Sequence, residues 1–283
     1  MSTQTSTIQL PLEQFQDQGF MILRDALDAR IVESAREAMK ELVNQAADRL
    51  IALGRITDPL TGDPFETRLY HLYKNNLDLA PKSYRQELHK PGLFDVFFNP
   101  TVLDFAQQIL GPEIRLYPNY TARPKLPDWE GTLVLWHQDG GYTESTAEGS
   151  PDSLRMVNVW SPLVRATRAN GCMQFVPGTH KLGVVRHVTK KHYLEIAPEV
   201  LDPLLSSAID IELNPGDVVL FHNLLFHRGL PNLSKSVRWS LDWRYQDATQ
   251  PTLRKQSGHL ARSSRNLTNV VATAADWATL SFT

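Results

Sequence analysis

The chain has 283 residues, 42% hydrophobic and 21% charged, so it can bury a core, and its composition is neither that of a disordered chain nor that of a membrane-embedded one. Twenty-nine basic residues stand against 31 acidic ones, a net charge of −2, which gives no global pull toward nucleic acid. The single cysteine, Cys172, excludes an internal disulfide framework and any cysteine-built zinc or iron–sulfur site. It reads as a core residue and fits a reducing compartment.

Residues 1–8 read as a loose polar leader. The first twenty residues lack the basic-then-apolar order of a signal peptide, and no run of about 18 apolar residues occurs. A cytoplasmic chain without membrane association is expected. From Asp28 to about Gly54, apolar residues fall at Ile31, Ala35, Ala38, Met39, Leu42, Val43, Ala46 and Leu50. That is one buried helical stripe, capped by Asp28 and stopped by Gly54. Residues 55–67 carry turn chemistry and read as a loop, and a second helix is expected over 100–110. After residue 112 short apolar, β-branched and aromatic runs alternate with Gly, Pro and Asn. Strands are expected at 113–121, 132–137, 155–161, 171–177, 208–213, 217–222 and 237–245. Helices first and strands later suggest a helical layer on a β-sandwich or jelly roll, with no linker separating two domains.

Two segments carry metal-binding chemistry. His137-Gln138-Asp139 follows the apolar run TLVLW, and residues i and i+2 of an extended segment share a face. Alone this is weak, since nine histidines make a chance His-x-Asp/Glu expected about once. Ninety residues on, the run 216–229 reads as another apolar strand ending in His222 and His227. Two imidazoles and one carboxylate form the facial triad of non-haem iron oxygenases, but such a set also suits zinc or manganese. Arg238 follows eleven residues after His227. A buried Arg needs a partner, either a bound dicarboxylate or, as the plainer alternative, Asp242 or Asp217.

The runs WHQDGGY at 136–142, NGCMQFVPGTHKLG at 170–183, GDVVLFHNLLFHRGLPNLS at 216–234 and the pair Arg238-x-Ser240 resemble the phytanoyl-CoA dioxygenase family of Fe(II)/2-oxoglutarate oxygenases. The resemblance spans roughly residues 10–270 and is strongest over 113–247. It departs from the family pattern mildly at Thr179 and where Arg228 interrupts His227 and Gly229. It implies a mainly β chain with flanking helices, a double-stranded β-helix (jelly-roll, cupin-like) core packed by N-terminal α-helices. One oxygenase domain over 1–283 is expected, with a helical layer at 1–112, a β core at 113–247 and an extension at 248–283. The resemblance makes His137, Asp139 and His227 the iron ligands and the catalytic centre. Arg238 matches the residue for the distal carboxylate of 2-oxoglutarate, helped by Ser240, with Lys125, Asn158 and Tyr120 in segments that touch the same cosubstrate. His222 is a rival ligand whose spacing to Arg238 does not match, so it is assigned to packing or to a supporting place.

The reaction so implied is hydroxylation of an unactivated C–H of a small molecule of specialised metabolism, using Fe(II), 2-oxoglutarate and O₂ and releasing succinate and CO₂. Asp139 fills the position that related halogenases leave to a halide, which favours oxygen over chlorine. Desaturation, epimerisation and cyclisation share the same start. A non-redox cupin-like zinc or manganese enzyme and a non-catalytic binder are the readings from other classes. Nucleic acid and membrane partners are not expected, and the sequence does not set the oligomeric state.

Candidate substrate contacts are Arg68, Tyr70, Tyr73, Gln138, Tyr142 and Gln174, with aromatic packing as the plainer reading of the segment with Arg68, Tyr70 and Tyr73. The loop 140–155 reads equally as a lid or a surface loop. The segment 180–192, with Lys181, Arg186, Lys190 and Lys191, reads first as a solvated charged face and second as an anion contact.

Overall fold

In the computed structural model, which describes residues 12–143, 146–147, 149–190 and 193–282, the Asp28 carboxylate accepts hydrogen bonds from the backbone N–H of Arg30 and Ile31 at 2.8 and 3.0 Å. This satisfies two donors that the start of a helix would otherwise leave open. The seven helices described are α1 (Leu12–Gln18), α2 (Ala29–Ala52), α3 (Phe65–Tyr73), α4 (Phe94–Phe97), α5 (Pro100–Leu110), α6 (Pro198–Leu201) and α7 (Ala274–Thr279). The buried stripe of α2 runs as its spacing requires, except that Val32 and Ala47 join it while Ile31 is only partly covered. The segment expected to stay a loop to residue 67 already turns helical at Phe65, directly after Pro64. The expected polar leader lies outside the described residues.

The strands are β1 (Phe20–Leu23), β2 (Ile114–Leu116), β3 (Thr121–Lys125), β4 (Val134–His137), β5 (Met156–Pro162), β6 (Met173–Val176), β7 (His187–Lys190), β8 (Tyr193–Ile196), β9 (Ile209–Ile211), β10 (Val218–His222), β11 (Phe226–Gly229), β12 (Arg238–Asp247) and β13 (His259–Arg262). The protein is mainly β, with antiparallel sheets and flanking helices. Seven strands form one sheet in the order β1-β10-β5-β12-β2-β13, with β3 also on β12. Four form a second sheet in the order β4-β11-β6-β9, and β7 and β8 make a hairpin. The sheets face each other across a core that includes Phe20, Trp160 and Phe221 from the large sheet and Met173, Phe175 and Ile211 from the small one. Cys172 is buried there, as expected.

The helices cover the other face of the large sheet. Trp239, Leu241, Trp243 and Tyr245 of β12 pack in one cluster with Met39 and Leu42 of α2 and Phe105 of α5. Each such side chain, fully buried, contributes on the order of 1.5–3 kcal/mol.

Two differences from the sequence expectation position the site. The run 216–229 is not one strand. A turn closed by Leu225 N–H on the His222 carbonyl splits it, sending β10 to the large sheet and β11 to the small one. β3 was hidden because TARPK carries two charges and a proline. Pro124 sits opposite Trp239, on a strand that pairs along its length only with β12.

Candidate metal centre

β4 and β11 are antiparallel neighbours, and His137 stands directly opposite His227. Paired residues of neighbouring strands share a face, and the two rings lie 4.1 Å apart between centroids. Each imidazole is fixed in the same way. The Nδ1 of His137 donates to the Leu135 carbonyl at 2.8 Å, and that of His227 to the Leu225 carbonyl at 2.9 Å. A carbonyl only accepts, so the proton stays on Nδ1 and both Nε2 atoms present lone pairs. Asp139 completes the group. Its Oδ1 is 3.6 Å from His137 Nε2 and its Oδ2 is 4.0 Å from His227 Nε2. One donor atom from each residue lies within 4.8 Å of the others. Two imidazoles and a carboxylate, converging from two strand ends, fit a divalent first-row ion with positions left open.

Burial alone would push the Asp139 carboxyl up. The Arg244 guanidinium outweighs it and holds the group well below the usual carboxylate range. Arg244 Nη2 and Asn158 Nδ2 reach Oδ2 at 2.8 and 2.7 Å, which leaves Oδ1 for an ion. Burial, reinforced by His137, lowers the His227 imidazole to about 3, so it is neutral at ordinary pH.

Across the cavity stands the inner face of β12. Arg238 is 3% exposed, and burial followed by the nearby Arg123 charge lowers its guanidinium to about 10. It hydrogen-bonds the Ser240 hydroxyl, lies 5.3 Å over the Trp160 ring and leaves Nε without a partner among the described residues. Neither carboxylate considered from the sequence pairs with it. Asp217 binds Arg24 at 2.7 Å, and Asp242 binds Arg123 at 2.6 Å. Arg238 and the three donor residues line one cavity of about 70 Å³, which is walled also by Trp160, Met173 and Phe221. Lys125 lies opposite Arg238 in the β3–β12 register and donates to the Leu230 carbonyl at 2.7 Å. Burial, then Arg238 and Arg123, lowers its amine to about 7.

The remaining expected contacts separate. Asn158 and Ser240 reach the site, and the Tyr142 ring meets the His137 ring edge-on at 5.6 Å. Tyr120 does not. Its hydroxyl lies between His89 and His259, at 3.1 and 3.3 Å, among the aromatic residues under the C-terminal segment. Strand alternation turns it away from the face used by Thr121 and Arg123. Arg68 binds the Pro59 carbonyl and Asn44, Tyr73 is helix core, and Tyr70 packs against the same cluster, so none of the three contacts the donors. Gln138 points opposite to its neighbours and ties the Gly183 and Leu224 carbonyls to Val185 N–H. Gln174 is held by Asp210 and Arg228. His222 packs against His180 and Phe15, clear of the three donors. In the segment 180–192, Lys181, Arg186 and Lys190 pair with Asp17, Glu199 and Glu195, while Lys191 lies outside the described residues. Parts of the loop 140–155 (144–145 and 148) lie outside them too.

Sequence reading missed Arg244, Arg123 and Trp160. The signal for Arg244 was present: with Arg238 inward, alternation places Ser240, Asp242 and Arg244 inward as well.

The family model described as "Phytanoyl-CoA dioxygenase (PhyH)" matches residues 15–240. A 1-deoxypentalenic acid 11-beta-hydroxylase of Streptomyces arenae is 29% identical over 253 residues, covering 84% of this chain and 81% of that one. Among solved structures, EctD from S. alaskensis with 2-oxoglutarate and 5-hydroxyectoine superposes with a TM-score of 0.61 at 20% identity, covering 89% of this chain and 80% of that one. The non-heme alpha ketoglutarate dependent carbocyclase SnoK from nogalamycin biosynthesis gives 0.57 at 22%, covering 84% and 83%. At such identities the superpositions speak to the fold.

Proposed function

The chain belongs to the phytanoyl-CoA dioxygenase family, and on that premise we propose that it is an Fe(II)/2-oxoglutarate-dependent dioxygenase that hydroxylates an unactivated C–H of a small molecule of specialised metabolism. The facing sheets are then the double-stranded β-helix of one oxygenase domain, working in the cytoplasm. One observation carries the reading. A buried guanidinium without a carboxylate partner among the described residues faces, across one cavity, a cluster of two imidazoles and a carboxylate. A buried charge left unpaired is costly, and a dicarboxylate bridging the cavity removes that cost.

In this reading His137 and His227 through Nε2 and Asp139 through Oδ1 hold the iron. Arg238 and Ser240 take the far carboxylate of 2-oxoglutarate, with Lys125 adding positive charge behind them. Arg244 and Asn158 keep Asp139 from rotating. Trp160, Met173 and Phe221 exclude water on the closed side. Iron, 2-oxoglutarate and O₂ together supply the oxidising power, with succinate and CO₂ released. The Streptomyces relative carries the name of a hydroxylase of a small organic acid, which supports hydroxylation as the outcome.

The test is turnover with Fe(II), 2-oxoglutarate and ¹⁸O₂ in excess chloride, measuring succinate and the mass of the product. Labelled hydroxylated product is expected. A chlorinated product overturns the reading of Asp139. An unlabelled dehydrogenated or cyclised product keeps the iron site and replaces the hydroxylase. Activity with Zn(II) or Mn(II) and no succinate overturns the redox reading altogether.

A further inference from the structure

The outer part of the cavity wall is basic beyond what the iron and 2-oxoglutarate reading uses. Lys82, Arg123, Lys125 and Arg238 line a recess that adjoins the metal cavity, with Val134 and Tyr193 beside them and no acidic residue among the described residues of its wall. The Tyr84–Ala122 bridge, with reciprocal hydrogen bonds of 2.9 and 3.0 Å, sets the next residue, Arg85, beside Thr121. Thr121 donates to Asp242 at 2.8 Å, so Arg85 stands on the face of β3 that carries Arg123.

The acids there are already engaged. Asp242 Oδ2 accepts from Arg123 Nε, and its Oδ1 accepts from Thr121 and lies 3.6 Å from Arg244. Asp139 serves the metal cluster and Arg244. Exposed Glu87 caps the Arg85 backbone N–H at 3.1 Å rather than its guanidinium. The Lys82 amine and the Arg85 guanidinium have no hydrogen bond or ion pair among the described residues, and neither Nη atom of Arg123, whose Nε holds Asp242, has a hydrogen bond there. Arg85 feels this crowding: burial and the Arg123 charge depress its guanidinium below the ordinary value. Two buried atoms on the metal side, Asn158 Oδ1 and Arg244 Nε, are also without partners among the described residues.

We propose that the substrate is an organic acid, whose carboxylate is held at the cavity mouth by Arg85 and the free Nη edge of Arg123, with Lys82 at the rim. This deepens the oxygenase reading and rests on it. 2-Oxoglutarate places its two carboxylates on the metal and on Arg238, so it reaches neither Lys82 nor Arg85, and it leaves the Nη edge of Arg123, which Asp242 holds through Nε, without an acceptor. A second anion supplies both the charge and the acceptor. The apolar wall of Val134, Trp160 and Phe221 then takes the carbon skeleton, directing it inward toward the three donors while the acid end stays at the mouth.

The experiment uses the full chain loaded with Fe(II) and saturating 2-oxoglutarate. Its probes are matched sets of apolar carboxylic acids, 1-deoxypentalenic acid among them, with their methyl esters and the corresponding amines. Affinity is read by calorimetry and stimulation by succinate release over each protein's own uncoupled rate. At least one acid is expected to bind about tenfold or more tightly than its ester, with the amine weakest. In Arg85→Gln that acid-to-ester ratio is expected to fall about tenfold, and in Arg85→Lys to recover in large part. Lys82→Gln is expected to lower it less. A panel in which no acid outbinds its ester overturns the proposal, as does a ratio that Arg85→Gln leaves intact. Uncoupled succinate release separates the two levels: its presence without acid preference sinks only the carboxylate site, and its absence sinks the oxygenase reading beneath it.

Discussion

The two faces of β12 differ in almost every respect although they alternate along ten residues. One face carries Trp239, Leu241, Trp243 and Tyr245, each essentially inaccessible and packed on the helices. The other carries Arg238, Ser240, Asp242, Arg244 and Gln246, nearly as buried, and Arg238, Asp242 and Arg244 of these line the cavity. The first face removes apolar surface from water and so holds the fold. The second spends burial on charges, which the chain's own residues only partly pair. Depth of burial therefore does not separate core from site here, whereas the chemistry of what is buried does.

Five measurements break or sharpen this contrast. The largest effect belongs to the donors on β4 and β11: His227→Ala is expected to abolish iron-dependent succinate formation, while His222→Ala keeps bound iron by metal analysis. The reverse pattern would return the distal ligand to His222. On the apolar face, Trp243→Ala is expected to cost about 3–5 kcal/mol of stability in denaturant titration. The protein that remains folded should keep its 2-oxoglutarate requirement. On the polar face, Arg238→Leu should do the opposite. It is expected to weaken 2-oxoglutarate by about 2–5 kcal/mol, with iron still bound. Thermal stability of the cofactor-free protein should hold or rise, because a buried cation without a carboxylate is removed.

Arg244→Met frees Asp139 Oδ2 from its 2.8 Å ion pair, and a loss of about 10–100-fold in iron affinity is expected by competitive chelation. The smallest effect concerns Lys125. Its amine sits at about 7 against an ordinary 10.5. Between those values the unfolded chain holds the extra proton, so this group makes stability rise with pH across that window. A 2-oxoglutarate dianion favours the charged amine, so binding takes up a proton and weakens as pH rises above about 7. A change of roughly 3–10-fold from pH 7 to 9 is expected in titrations, and Lys125→Met should flatten it.

Much of this was readable from residues alone. Asp28, the α2 stripe and Gly54 mark a helix because capping and a 3.6-residue period are local properties. His137, Asp139, His227 and Arg238 stood out as candidates by their spacing on extended segments and by the motifs around them. Other features depend on which strand lies beside which. The split of 216–229 into strands of different sheets sends His222 to one and His227 to the other, and no local spacing encodes that. Tyr120 and Thr121 are adjacent in sequence but lie on opposite faces, one among aromatic residues and one on Asp242. The hold of Arg244 on Asp139 joins residues 105 positions apart across two sheets, as the pairing of Arg123 with Asp242 joins two strands of one. Periodicity and capping act over a few residues and so are written in the sequence. Long-range charge pairing becomes defined only when packing brings distant strands within hydrogen-bond reach.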